Sequence, residues 1–144
     1  MKAAATKRFV LDASVTLAWC FPDERTAYAE AALDLLANGA GAIAPAIWPF
    51  EVANALLVGE KRKRVTVAQV TAILQRVADL PISVEPAQIG HAFQQVIALA
   101  RQTELSEYDA AYLELALRLG LPLATLDARL RQSAKDAGIA LVKI

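Results

Sequence analysis

Short unbroken apolar runs alternate along the chain with longer stretches in which apolar residues recur every three or four positions. These are the signatures of buried strands and of helices with one buried face. Arg8 to Leu11 is the first run, and it ends at Asp12, a carboxylate that does not belong to the apolar interior those residues form. Ser14 is placed to cap a short helix from Val15 to Cys20, which Pro22 stops. Asp23 is placed to cap a second helix, Glu24 to Asn38, with Ala29, Leu33 and Leu36 inward and Gly39 at its left-handed end. Ala42 to Ala44 predicts a second strand. Pro49 opens a third helix, Phe50 to Lys61, and Thr66 with Gln69 forms a capping-box pattern for a fourth that ends near Asp79.

Beyond the break at Pro81, Ile82 to Val84 predicts a third strand, and Gln88 to Arg101 a helix with Phe93, Ile97 and Ala100 on one stripe. Ser106 followed by Asp109 marks the start of a helix that extends over Asp109 to Leu119, before Gly120. Leu121 to Thr125, Asp127 to Ala137 and Ala140 to Val142 then read as strand, helix and last strand. Strand and helix alternate throughout, with no internal repeat and no linker. This predicts a single α/β domain, 1–144, with a parallel sheet covered by helices on both faces.

Composition changes that picture in two ways. The hydrophobic fraction, 56%, exceeds what a soluble domain of 144 residues ordinarily needs, which predicts a homodimer or a tight protein partner. Fifteen basic and fifteen acidic residues cancel, so any nucleic-acid binding must come from local patches. One cysteine, Cys20, excludes an internal disulfide and favours a reducing cytoplasm, where its default role is a small buried hydrophobe. Lys7, Arg8 and Asp12 interrupt anything resembling a signal sequence, and the longest uncharged run, Leu35 to Phe50, is too short to span a bilayer. The expectation is a soluble cytoplasmic protein with no membrane segment.

The chemistry lies in four acids. Asp12 ends a strand, Glu51 and Asp109 open helices, and Asp127 follows the strand that contains Thr125. In a parallel sheet, strand carboxyl ends and helix N-termini share one edge, so residues scattered in sequence converge there. Any single acid is explained as a helix cap; four at one edge are not. Two like charges about 4 Å apart repel by roughly 4 kcal/mol at an effective dielectric near 20, so the cluster calls for a divalent cation. All-oxygen ligation selects Mg²⁺ or Mn²⁺, which lowers the pKa of bound water and clamps a phosphodiester. Ser14 and Thr125, each two residues from an aspartate, are placed to orient carboxylates, and Asn54 lies one helical turn from Glu51.

The stretches FVLDASV, PFEVANALL, EYDAAYLELALRLGLPLATLDARL and the closing AGIALVKI resemble PIN-domain ribonucleases, and within them the VapC toxins of toxin–antitoxin pairs. The resemblance covers nearly the whole chain. It implies a three-layer α/β/α sandwich, a Mg²⁺- or Mn²⁺-dependent endoribonuclease, a homodimer, and a cognate antitoxin whose C-terminal segment lies across the active-site groove. The family's acidic tetrad maps onto Asp12, Glu51, Asp109 and Asp127, and its hydroxyl position onto Thr125.

Other features carry less. Gly39 to Ala44 matches a dinucleotide fingerprint in letters, but follows a helix and precedes a strand, the reverse of what that motif needs. Lys61, Arg62, Lys63 and Arg64 are candidate RNA phosphate contacts, although basic residues also complement a helix C-terminus. His91 has no histidine or cysteine cluster to make zinc plausible. Three rivals stand beside the toxin: a housekeeping PIN-type RNA-processing nuclease, an aspartyl-phosphate phosphotransfer domain using Asp12, and a non-catalytic dimeric binding module whose acids are only caps.

Overall fold

The computed structural model describes residues 7–143. Its strands are β1 (Arg8–Leu11), β2 (Gly41–Ala44), β3 (Ile82–Val84) and β4 (Leu123–Ala124), all parallel, in the order β3-β2-β1-β4. The helices are α1 (Ala13–Cys20), α2 (Ala27–Ala37), α3 (Trp48–Lys61), α4 (Val67–Ala78), α5 (Ile97–Thr103), α6 (Glu107–Leu119) and α7 (Ala128–Asp136). The chain steps from β1 to β2 to β3 in one direction, then returns across the sheet to β4. Right-handed crossovers place helices on opposite faces for opposite directions of travel, so α1–α4 cover one face and α5–α7 the other. Element contacts agree: α1 meets α2 and α3, α3 meets α4, and α6 meets α5 and α7. The result is a three-layer α/β/α sandwich.

The core explains why β1 is unbroken apolar sequence. Phe9, Val10 and Leu11 have no exposed surface, because Val10 pairs with Ile43 on one side and Leu123 on the other while helices cover both faces. Tyr112, Leu113 and Leu115 of α6 are likewise fully buried or nearly so. The reversal of strand order falls between β1 and β4, and their carboxyl ends open the crevice where such sheets bind ligands.

Several local expectations change. The second helix starts at Ala27, capped by Thr26, whose hydroxyl accepts from the Ala29 amide at 3.0 Å; Asp23 and Glu24 instead lie in a 3-10 turn, Pro22–Glu24. Pro22 and the tight turn use up residues that helical periodicity alone would include. Ser14 lies inside the first turn of α1, and Asp12 occupies the cap position. The Gln88–Arg101 helix is irregular: His91–Val96 forms a π-helical turn before α5. That wider turn shifts the register, so Val96 is buried and Phe93, expected on the inner stripe, is 68% exposed. Leu121–Thr125 shrinks to the two-residue β4, and Ala140–Val142 to a single parallel bridge, Leu123 with Leu141. The capping box is present in full: the Thr66 hydroxyl accepts from the Gln69 amide and the Gln69 side chain from the Thr66 amide.

Candidate active site

β1 delivers Asp12 to the crevice, and the Asp12 amide donates to the Ala124 carbonyl of β4 at 3.0 Å. Hydroxyls from both sides of the crevice hold its side chain. Ser14 Oγ donates to Asp12 Oδ2 at 2.5 Å, and Thr125 Oγ1 donates to the same oxygen at 2.7 Å. Each hydroxyl in turn accepts from the loop after β4: the Asp127 amide donates to Thr125 Oγ1 and the Leu126 amide to Ser14 Oγ, both at 3.0 Å. Asp12 is only 5% exposed and Thr125 not at all, so the bond between them lies away from water.

Helix starts supply the other acids. Asp127 caps α7, its Oδ1 accepting from the Leu130 amide at 2.8 Å. Asp109 sits in the first turn of α6, whose cap, Ser106, accepts from the Asp109 amide at 3.1 Å. Glu51 sits in the first turn of α3, after Pro49. Its Oε1 accepts from Tyr112 Oη at 2.6 Å, a bond that joins α3 to α6 across the crevice. The pattern of the chain did not single out Tyr112. A signal exists, since it lies one turn after Asp109 on the same helix, but its apolar neighbours read as core.

The carboxyls disturb one another. Burial pushes Asp12 above the ordinary carboxylate range, and the charge of Asp109 adds to the shift although the two hydroxyls oppose it. Glu51 is raised by burial and by the charges of Asp12 and Asp109, against the Tyr112 bond. Asp109 is raised by burial and by Asp127, while Arg129 pulls it down. All four acids are thus within electrostatic reach of a neighbour at this edge.

Other candidates stay outside the cluster. Asn54 is exposed on α3 and makes no side-chain hydrogen bond to the acids. Lys61 closes α3, about 15 Å along the helix from Glu51 at 1.5 Å per residue, toward the opposite edge of the sheet. Arg64 is committed elsewhere, donating to Asp23 and Glu24 at 2.9–3.1 Å and lying 4.2 Å from the Phe21 ring centroid. Lys61, Arg62 and Lys63 remain exposed, but not beside the acids. His91 is half-buried, its Nδ1 3.6 Å from Glu114. A cleft of about 340 Å³ adjoins the acidic edge, with Phe50 and Tyr108, the residues just before Glu51 and Asp109, in its wall.

The donor set is all oxygen, the kind hard cations take. Among the described residues, no three acidic, histidine or cysteine side chains come close enough to enclose one ion directly. Among the described residues no helix is long and apolar enough to cross a membrane.

Comparison with known proteins places this geometry. No curated protein matches the chain in sequence. Among solved structures, PAE2754 from Pyrobaculum aerophilum superposes with a TM-score of 0.69 at 23% identity, covering 92% of this chain and 87% of its own. FitAcB from Neisseria gonorrhoeae superposes with a TM-score of 0.62 at 16% identity, covering 94% of this chain and 96% of its own. A family model for the PIN domain matches residues 9–136, a stretch that includes β1 through α7 except Arg8. The chain therefore belongs to the PIN-domain family, whose members are generally nucleases.

Proposed function

We propose that this PIN domain is a Mg²⁺- or Mn²⁺-dependent endoribonuclease that acts as the toxin of a toxin–antitoxin pair. The observation that carries the nuclease reading is geometric: β1 ends at Asp12, and α3, α6 and α7 start at Glu51, Asp109 and Asp127, around the crevice where β1 and β4 end, with Glu51 bonded to Tyr112 of α6 and Asp12 to Thr125 beside Asp127; burial first, and neighbouring carboxylate charge second, raises Asp12, Glu51 and Asp109. Asp12, Glu51, Asp109 and Asp127 are the residues that would hold a cation, some of them through its waters, and such an ion would offset their charge, lower the pKa of a bound water and neutralise charge on a scissile phosphate. Ser14 and Thr125 keep the Asp12 carboxylate turned into the crevice, and Tyr112 does the same for Glu51. The backbone at the start of α7 fixes Asp127. RNA lies along this edge with its phosphate toward the acids.

Exposed apolar side chains support the partner reading. Phe50, Ile89, Phe93 and Tyr108 are 61–74% exposed, surface that the proposed homodimer and antitoxin contacts draw on. The proposed location is the cytoplasm, consistent with one free, buried cysteine.

The test is cleavage of total RNA by purified, antitoxin-free protein with Mg²⁺ or Mn²⁺, beside EDTA and an Asp109→Asn control. Cleavage at discrete sites, lost in both controls, is the expected result; cleavage that persists in both overturns the metal-tetrad mechanism. Expression alone should arrest growth, and coexpression of the antitoxin should restore it. Unaffected growth with an active preparation replaces the toxin role with housekeeping RNA processing.

A further inference from the structure

RNA brings a row of phosphates to an edge that carries four acids, and the chain as a whole has no net positive charge to attract it. Phosphates that position a strand are ordinarily held by arginine and lysine side chains, so a local cation is needed beside the crevice. The helices that open there differ in this respect. α1, α3, α6 and α7 begin at Asp12, Glu51, Asp109 and Asp127, and within their first two turns only α7 carries basic residues, Arg129 and Arg131. Other cations are committed or distant: Arg64 bonds to Asp23 and Glu24, Arg118 to Glu85 and Glu114, and Lys61 lies toward the opposite edge.

The two arginines of α7 are engaged differently. Arg131 is half-buried, lies 4.8 Å from the Tyr28 ring centroid and donates from Nη1 to the Thr125 carbonyl at 2.7 Å, so it braces the loop that holds Asp12. Arg129 is exposed, and its one side-chain hydrogen bond among the described residues runs from Nη2 to the Glu104 carbonyl at 3.3 Å. That contact reaches from α7 to the turn before α6, the helix that carries Asp109, and the guanidinium charge opposes the rise of the Asp109 carboxyl. Arg129 therefore stands between the starts of α6 and α7 with most of its N–H donors unengaged. A guanidinium fork of this kind matches the paired oxygens of a phosphodiester.

We propose that Arg129 binds an RNA phosphate where the strand enters between the starts of α6 and α7, and so sets the strand against the acids, while Arg131 serves the loop after β4. The proposal rests on the nuclease reading above and adds to it the cation that receives the substrate. It also moves the phosphate contact away from the basic run at the end of α3.

The experiment follows binding of a fluorescein-labelled single-stranded RNA to the full chain by anisotropy in EDTA, and cleavage of the same RNA with Mg²⁺, each over about 50 to 200 mM NaCl. It is run on the wild type, Arg129→Gln, Arg129→Lys and Lys61→Gln, with melting by circular dichroism beside it. Arg129→Gln should lower the salt slope of binding, or of kcat/KM, by about 0.7, the value for one phosphate contact on a single strand. It should also raise KM about tenfold, the loss of one hydrogen bond between charged groups, with a smaller change in kcat. Arg129→Lys should keep the slope and lose part of the affinity, because the charge remains and the fork does not. Lys61→Gln should leave the slope unchanged. An unchanged slope in Arg129→Gln, above all with a lowered melting temperature, makes Arg129 a fastening for the turn before α6 and overturns the proposal; an equal loss of slope in Lys61→Gln overturns it too. Cleavage that still depends on Asp109 then leaves the nuclease reading standing. The expected change in binding slope without any cleavage keeps the Arg129 contact and removes the nuclease reading, and RNA that is neither bound nor cut removes both.

Discussion

Thr125→Val is the most informative perturbation of the site, because it keeps the shape of a fully buried side chain and removes only a hydroxyl. That hydroxyl donates to Asp12 at 2.7 Å and accepts from the Asp127 amide at 3.0 Å. A hydrogen bond to a charged group contributes about 1.5–3 kcal/mol, and a buried donor left without a partner costs about 1–3 kcal/mol. Ser14 continues to hold Asp12, so the two losses overlap, and the expected destabilisation is about 3 kcal/mol. Unfolding entropy near 2.1 cal/mol/K per residue turns this into a fall of about 10 °C in melting temperature for a chain of 144 residues. The assay is thermal unfolding by circular dichroism in EDTA at pH 8, with Thr125→Ser as the control that restores the hydroxyl. Ser should recover most of the loss. A Val variant within about 3 °C of the wild type, or Ser and Val variants that melt alike, would refute the claim that this hydroxyl braces the two aspartates.

Two further outcomes follow from the same structure. Asp12, Glu51 and Asp109 all have folded-state pKa values above their ordinary ones, so the folded protein holds protons that the unfolded chain has already released. In EDTA, stability should therefore fall as pH rises from about 4 through those raised values, and Mn²⁺ should restore it most at the alkaline end; melting temperatures that rise steadily from pH 5 to 8 in EDTA contradict this. Gly59→Ala tests the packing of α3. A helical glycine replaced by alanine ordinarily gains about 1 kcal/mol, but here the new Cβ would meet the Phe21 ring at 3.0–3.1 Å and Val65 at 3.3 Å. Since Phe21 also carries Arg64, overpacking should cancel the gain, and a raised melting temperature would show that the ring yields freely.

What could be read along the chain was whatever depends on near neighbours. The apolar run into Asp12, Pro49 at the start of α3, the Thr66–Gln69 box, Ser106 before α6 and Gly120 after it are all interactions within about one helical turn, and they appear where residue pattern places them. Parallel alternation of strand and helix also followed from pattern, and with it the expectation that the acids share an edge. Where the local pattern was ambiguous, the tertiary structure decided. Asp23 is as good a cap as Thr26 by residue type, but it was drawn into a turn that presents it to Arg64, 41 residues away. The stripe through Phe93 assumed 3.6 residues per turn, and a π-helical turn shifted the face.

Pairings across the fold were out of reach for the same reason. Tyr112 and Glu51 are 61 residues apart, and Thr125 and Asp12 are 113 apart. Nothing local distinguishes Tyr112 from the core residues around it on α6. Its role arises because the return crossover from β3 to β4 lays α6 against β1 and brings its N-terminal half beside α3. The chain by itself determined that β1 ends at Asp12 and that α3, α4 and α6 start at Pro49, Thr66 and Ser106, since those choices rest on backbone geometry and capping within a few positions. Only the order β3-β2-β1-β4 decided which of those ends meet, because a hydrogen bond between distant residues exists only once the crossovers have brought its partners together.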